Sequence, residues 1–279
     1  MHAKINGVQL GYDDFGQGPV VLFLHDYLLN RQMWKPQVEP LVADGFRVIL
    51  VDLRGFGESE LGKDPVSIPT YSTDIIGLLD YLGIGRAVIC GLSFGASVLF
   101  DLMENYPKRI VGACLAASRA VADDSHERAR RGELMAALER GELPRVKDEL
   151  THMLLGHREE ALAEKQRTEV RRTIQALQEE TLGAALQALG RRKDYTFLLK
   201  HLDLPTLLIG AERDPISHPG HTDLIASQLP NCYRAVKLSS GHLMNLENSA
   251  EFNLHLRDFL TALAPRKKGV MALPLSSAV

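Results

Sequence analysis

The chain of 279 residues is long enough for two average domains or for one large α/β domain that carries an insertion. Its composition is 45% hydrophobic and 24% charged, which excludes a disordered, collagen-like or disulfide-stapled chain. The formal net charge of -3 argues against nucleic-acid binding through bulk positive charge, but it is compatible with a local basic patch.

Short apolar runs alternate with helical stretches in the first third of the chain. Residues 4–10 contain the turn signal Asn6-Gly7, which predicts an antiparallel hairpin at the edge of a sheet. Further strands are expected over 20–24, 48–51, 87–90 and 110–117, and helices over 34–42, 72–82 and 95–105. Pro40 should bend or end the first helix. Since buried strands alternate with helices, we expect a mostly parallel sheet with helices on both faces.

The pattern changes after residue 118. Between 119 and 200 strand signals are sparse, and blocks rich in Arg, Glu, Leu and Ala predict helices. We interpret this segment as a helical cap that is inserted after the sixth strand. Strands then follow over 206–209 and 233–238, and a last helix over 250–263. The expected organisation is a discontinuous core (1–118 and 201–264), a cap (119–200) and a flexible tail (265–279).

The strongest chemical signal is the segment Gly91-Leu92-Ser93-Phe94-Gly95, at the junction of a predicted strand and a predicted helix. A Gly-x-Ser-x-Gly sequence in this position makes a tight turn, the nucleophile elbow, which lifts the serine hydroxyl above the edge of the sheet. The turn also places the serine at a helix N-terminus, where backbone N–H groups favour negative charge. We therefore interpret Ser93 as a nucleophile.

A serine nucleophile needs a base, and the base needs an acid that orients it. In this arrangement the acid and the base follow the nucleophile along the chain, each in a loop after a later strand. Asp214 closes the loop after the seventh predicted strand, and His242 follows the eighth. The sequence therefore predicts a triad of Ser93, His242 and Asp214. Backbone N–H groups of Phe94 and Tyr27 should form the oxyanion hole.

These motifs together resemble those of the α/β-hydrolase superfamily. The resemblance covers about residues 4–263 and includes 23–25, 52–59, the elbow and 241–247. The last of these segments is similar to 3-oxoadipate enol-lactonases, and residues 25–30 are similar to pimeloyl-ester esterases. The resemblance implies an α/β-hydrolase fold of the α/β class. It also implies hydrolysis of a small to medium carboxylic ester or lactone through an acyl-enzyme.

One position departs from the pattern of the superfamily, which usually has His-Gly where this chain has His25-Asp26. The Asp26 side chain either caps a local turn or adds a carboxylate near the pocket, where it would disfavour anionic substrates. The cap should contribute an apolar lid that favours uncharged acyl groups. The expected pocket residues are His25, Asp26, Met135, Leu138, Met153 and Leu155.

The residues leave other activities of this fold open. A carbon–carbon bond hydrolase or an acyltransferase would use the same triad, and a receptor-like member of the fold would only bind its ligand. We expect an ester or lactone as the small-molecule partner, with no cofactor, metal, nucleic acid or membrane. The N-terminus lacks a signal-peptide pattern and the cysteines are interpreted as reduced thiols, so we expect a cytoplasmic protein.

Overall fold

One eight-stranded sheet organises the protein in a computed structural model that describes residues 1–155 and 161–263. The strands are β1 (His2–Ile5), β2 (Val8–Phe15), β3 (Val20–Leu24), β4 (Arg47–Val51), β5 (Ala87–Leu92), β6 (Ile110–Ala116), β7 (Thr206–Ala211) and β8 (Cys232–Leu238). Their order across the sheet is β1-β2-β4-β3-β5-β6-β7-β8. β2 runs antiparallel to both of its neighbours, and the other pairs are parallel. The mostly parallel sheet predicted from the sequence is therefore confirmed, whereas the predicted tail over 265–279 lies outside the described residues.

The helices follow the strands in the alternating pattern that the sequence predicts. They are α1 (Lys35–Ala43), α2 (Ile68–Tyr81), α3 (Phe94–Asn105), α4 (Ser125–Glu139), α5 (Leu143–Leu155), α6 (Glu164–Ala176), α7 (Glu179–Gly190), α8 (Pro219–Gln228), α9 (Met244–Glu247) and α10 (Ser249–Leu263). Helices α4 to α7 lie between β6 and β7, and we call residues 119–200 the helical segment. In the described ranges, no helix is both long enough and apolar enough to cross a bilayer.

The predicted edge hairpin is present at the start of the chain. β1 pairs with β2 in antiparallel register, and Ile5 lies opposite Val8. The two residues between the strands, Asn6 and Gly7, have φ angles of 46° and 84°. Positive φ at both central residues is the requirement of the tight hairpin turns that match the twist of the strands, and it favours Asn-Gly.

Pro40 does not end α1, which continues to Ala43. A proline inside a helix has no N–H to donate to the carbonyl one turn earlier, which is that of Pro36. The side-chain amide Nδ2 of Asn253 in α10 donates to this carbonyl at 3.0 Å instead. The carbonyl of Pro36, to which Pro40 cannot donate, therefore accepts a hydrogen bond from a distant part of the chain.

Burial in the sheet explains where functional side chains can emerge. Every residue of β5 and β7 is buried, and so are four of the five residues of β3. Side chains within these strands therefore form the core and cannot reach a ligand. Because the carboxyl ends of parallel strands meet at one edge of a sheet, the loops that follow them come together there. The predicted nucleophile, acid and base all lie in such loops.

Candidate active site

The nucleophile elbow lies between β5 and α3. Ser93 has a φ of 54° and a ψ of -104°, a strained backbone conformation for a residue with a side chain. Its N–H donates to the carbonyl of Ala116 at 2.9 Å, which ties the turn to β6. A Cβ atom at Gly91 would collide with the carbonyl of Gly95, and one at Gly95 would collide with the carbonyl of Leu24. Close packing of α3 on the sheet therefore requires both glycines of the motif.

The structure brings His242 and Asp214 into direct contact although 28 residues separate them. His242 Nδ1 lies 2.8 Å from each carboxylate oxygen of Asp214, and both side chains are buried. Asp214 Oδ1 also accepts hydrogen bonds from the backbone N–H groups of Ile216 and Ser217, at 2.8 and 2.9 Å. These contacts orient the carboxylate toward the imidazole and leave Nε2 as the ring nitrogen available for chemistry.

That second nitrogen faces Asp26. His242 Nε2 lies 3.7 Å from Asp26 Oδ2, and neither atom has a hydrogen-bond partner among the described residues. The other carboxylate oxygen, Oδ1, accepts a hydrogen bond from the backbone N–H of Leu28 at 2.9 Å. One oxygen of Asp26 therefore caps a turn while the other adds charge next to His242, so the side chain does not point away to cap a turn alone.

The charges of this cluster change the protonation of the imidazole. Burial opposes protonation of His242, but the carboxylates of Asp214 and Asp26 outweigh it and raise the pKa of His242 to about 10. For Asp26, burial alone would raise the pKa of the carboxyl. The interaction with His242, together with the Leu28 N–H and the Ser93 hydroxyl, lowers that pKa below its usual value. At neutral pH an imidazolium therefore lies between two carboxylates.

His25 is buried beside Asp26 and does not line the cavity described below. Its Nε2 accepts a hydrogen bond from the backbone N–H of Leu53 at 2.9 Å. Its Nδ1 lies 2.7 Å from the carbonyl of Asp26 and donates to it. Burial lowers the pKa of His25, so the ring is neutral, as these two contacts require. His25 therefore fixes the backbone that carries Asp26.

A cavity of about 270 Å³ opens above Ser93. Tyr27 and Phe94, the two residues predicted to supply oxyanion-hole N–H groups, also line it. As the first residue of α3, Phe94 has a backbone N–H without an acceptor in its own helix. Met153 reaches the cavity from α5 in the helical segment, as expected from the sequence.

The remaining expected pocket residues do not line this cavity. None of the following is among its described lining residues: His25, Asp26, Met135, Leu138 and Leu155. His25 and Asp26 are completely buried behind the cavity wall. Met135 and Leu138 approach Gly183, so they pack between α4 and α7 instead. The leucines of the helical segment that line the cavity with Met153 are Leu134, Leu150 and Leu189.

The cavity is also more charged than the apolar lid predicted from the sequence. Its charged lining residues are Arg119, Glu127, Arg130, Arg131 and Arg192, together with His126 as a titratable neighbour. Five lining residues from α4, at positions 126, 127, 130, 131 and 134, have the spacing of one helix face. The arginine-rich run over 128–131 was the sequence signal that could have revealed this surface.

Comparison with known proteins assigns the class of the molecule. A model of the α/β hydrolase fold family matches residues 19–249, and the chain therefore belongs to that family. The chain is 27% identical over 251 residues to 3-oxoadipate enol-lactonase 2 of Acinetobacter baylyi, covering 88% of this chain and 91% of that protein.

Two further comparisons differ in extent. The malate-bound structure of a thermophilic esterase from Thermogutta terrifontis is 29% identical, with a TM-score of 0.85, and covers 95% of this chain and 100% of that chain. An epoxide hydrolase of Caballeronia sordidicola is 38% identical over 106 residues, but the match covers 37% of this chain and 32% of that protein. The similarity to the esterase thus includes the helical segment, whereas the epoxide hydrolase match extends over about a third of each chain.

Proposed function

We propose that the protein is a serine hydrolase that cleaves a small to medium carboxylic ester or lactone. One observation carries the proposal: the strained Ser93 opens into a cavity at the sheet edge where a buried His242–Asp214 pair is also found. An activated serine needs a base that an acid orients, and these residue types meet that need.

In the proposed reaction, the Ser93 hydroxyl oxygen attacks the carbonyl carbon while His242 Nε2 accepts its proton. Asp214 holds the imidazole through Nδ1 and stabilises the imidazolium. The backbone N–H groups of Phe94 and Tyr27 stabilise the negative charge on the carbonyl oxygen. His242 returns the proton to the leaving alcohol, which leaves an acyl-enzyme. A water molecule activated by His242 then releases the acid and restores Ser93.

Similarity to other proteins supports ester or lactone chemistry over epoxide opening. The enol-lactonase of Acinetobacter baylyi and the esterase of Thermogutta terrifontis each match most of both chains. The epoxide hydrolase matches a third of this chain, and the elbow here carries a serine, which forms an ester with an acyl group.

A panel of short esters and lactones with identification of the products tests the proposal. We expect turnover by the unmodified chain, and a fluorophosphonate probe should label Ser93. A new ester formed in the presence of an added alcohol would instead indicate acyl transfer, and cleavage of a carbon–carbon bond would indicate the alternative hydrolase. Failure to turn over any member of the panel, with Ser93 unlabelled, would contradict a serine hydrolase.

A further inference from the structure

Arginines and apolar side chains together form the part of the cavity wall that the helical segment supplies. Arg119, Arg130, Arg131 and Arg192 line the cavity with a single carboxylate among the lining residues, that of Glu127. Guanidinium groups on the wall of a cleft are less screened by water than those on an open surface, so they attract an anion more strongly. The electrostatic character of this wall is therefore set by how many of these charges are neutralised.

The carboxylates in contact with these arginines are too few to neutralise them. Glu127 pairs with Arg119 through both carboxylate oxygens, with a distance of 2.7 Å to Nη2. One buried carboxylate, Asp123, pairs with both Arg131 and Arg192, at 2.6 Å from the latter. Four guanidinium groups thus share two carboxylates at hydrogen-bond distance and a third, that of Glu149, at 3.8 Å from Arg130, which leaves positive charge in excess around the cavity.

Two of the arginines have hydrogen-bonding capacity beyond these pairs. Arg130 approaches Glu149 at 3.8 Å, which is longer than a hydrogen bond, and its side chain is 41% exposed. Arg119 Nε is buried and has no hydrogen-bond partner among the described residues. A guanidinium offers a planar pair of donors that matches the two oxygens of a carboxylate. This wall can therefore bind a carboxylate beside its apolar side chains.

The opposite side of the active site has the opposite charge. The carboxylate of Asp26 lies close to Ser93 and to His242 Nε2, and its pKa is lowered. An anionic group directly beside the reacting carbonyl would be repelled by Asp26. A substrate can therefore place its own carboxylate favourably only at a distance from Ser93, toward the arginines of the helical segment.

We propose that the cavity selects an ester or lactone whose acyl part carries a carboxylate a few bonds away from the reacting carbonyl. The inference rests on the proposed function, because the carbonyl must lie at Ser93. The cavity volume of about 270 Å³ is just below the usual range for drug-sized ligands, about 300–1,000 Å³, so the acyl part is short. A half-ester of a short dicarboxylic acid is the simplest compound of this class.

A matched pair of esters tests this selection. Monomethyl glutarate is compared with its neutral analogue, in which an isopropyl group of the same shape replaces the carboxylate, and methanol release is measured. The succinate and adipate pairs are included to vary the distance between the two ends. We expect the kcat/KM of at least one charged ester to exceed that of its analogue by about tenfold or more, the size of one charged hydrogen bond.

Two variants each remove one positive charge from the cavity wall, and a third serves as a control. Arg131→Met and Arg130→Met should each lower the charged-to-neutral ratio of kcat/KM by about tenfold, mainly through a higher KM for the charged ester. The ion pair of Arg130 with Glu149, at 3.8 Å, is longer and more exposed than that of Arg131 with Asp123, so the Arg130 variant guards against an effect on folding. Arg140→Met removes an exposed arginine at the end of α4 that pairs with Glu142, and it should leave the ratio unchanged. A preference for the neutral esters, or the same ratio in all three variants, would overturn the proposal.

A binding experiment separates failure of this inference from failure of the proposed function. If no ester is hydrolysed, calorimetric titration of the Ser93→Ala chain with glutarate decides the matter. Binding that Arg131→Met weakens about tenfold and Arg140→Met does not would support the anion site while the serine hydrolase is abandoned. Absence of glutarate binding would overturn the anion site. Hydrolysis of the charged and the neutral esters with equal kcat/KM would overturn the proposed selection for a carboxylate but not the proposed serine hydrolase.

Discussion

The sheet side and the helical segment place opposite charges around the candidate site. At the sheet side, Asp26 and Asp214 flank the buried His242, and these residues lie in loops at the strand ends. At the other side, arginines project from helix faces and from the ends of the helical segment. In the proposed function, bond cleavage and substrate selection therefore depend on separate elements. Substitutions on the sheet side should therefore change kcat, and substitutions in the helical segment should change KM.

The two regions also differ in how they are held together. Strands β5 and β7 are buried along their whole length, and a slip in their register would expose an apolar core. Helix α6 of the helical segment, by contrast, buries Val170 and Ile174 among its thirteen residues. Polar contacts also join the two regions, such as the hydrogen bond from Thr181 Oγ1 to the carbonyl of Gly55 at 2.9 Å.

The largest expected effect is on the sheet side. Ser93→Ala removes the proposed nucleophile and should lower kcat on a short ester by about 10⁴ or more, because the oxyanion hole and binding alone give little catalysis. Steady-state hydrolysis measures the loss. Ser227→Ala, on the exposed surface of α8, is the matched control and should keep full activity. If the Ser93 variant turned over the ester about as fast as the unmodified chain, the assignment of Ser93 as the nucleophile would be wrong.

Packing within the helical segment should matter next. Leu186 in α7 is 1% exposed, so Leu186→Ala should lower the free energy of unfolding by about 2–5 kcal/mol through lost burial and the cavity that is left. Urea unfolding followed by circular dichroism gives this value. Leu254→Ala, at a position that is 57% exposed in α10, should change it by less than about 0.5 kcal/mol. Equal values for the two variants would show that α7 is not packed as described.

The pH dependence tests the charge cluster around the imidazole. Since the pKa of His242 is raised to about 10, the proposed base is protonated at neutral pH, and activity should rise as the pH increases toward that value. Asp26→Asn removes one of the carboxylates that stabilise the imidazolium. The acid limb of the kcat profile should then move to lower pH by about one to three units. A profile in Asp26→Asn that overlies that of the unmodified chain would rule out this electrostatic role.

The smallest expected effect concerns the junction of the two regions. Thr181→Val keeps the shape of the side chain but removes its hydrogen bond to Gly55. The free energy of unfolding should fall by about 0.5–1.5 kcal/mol, which is the usual net value of one hydrogen bond. Thr168→Val, on the exposed surface of α6, controls for the valine itself. A loss no greater than that of the control would mean that this contact does not stabilise the junction.

Local patterns in the sequence predicted much of the sheet and its chemistry. Apolar runs located the strands, and Asn6-Gly7 located the hairpin, because periodicity and turn geometry depend on neighbouring residues. Ser93, Asp214 and His242 could be selected because parallel strands bring the loops at their carboxyl ends to one edge. The two glycines of the elbow followed from the same motif, and the structure shows the backbone contacts that exclude a side chain there.

Such local patterns could not predict contacts between distant parts of the chain. Pro40 can stay within α1 because Asn253 supplies the missing donor, and no local rule contains that residue. Asp26 faces His242 only once the loop after β3 and the loop after β8 come together at the edge of the sheet. Packing of α4 against α7 turns Met135 toward the interior and the arginines toward the cavity. Composition and motifs thus predicted the fold and the candidate reacting residues. The charge of the cavity depends instead on which helix faces are buried, and side-chain packing across the whole chain decides which faces those are.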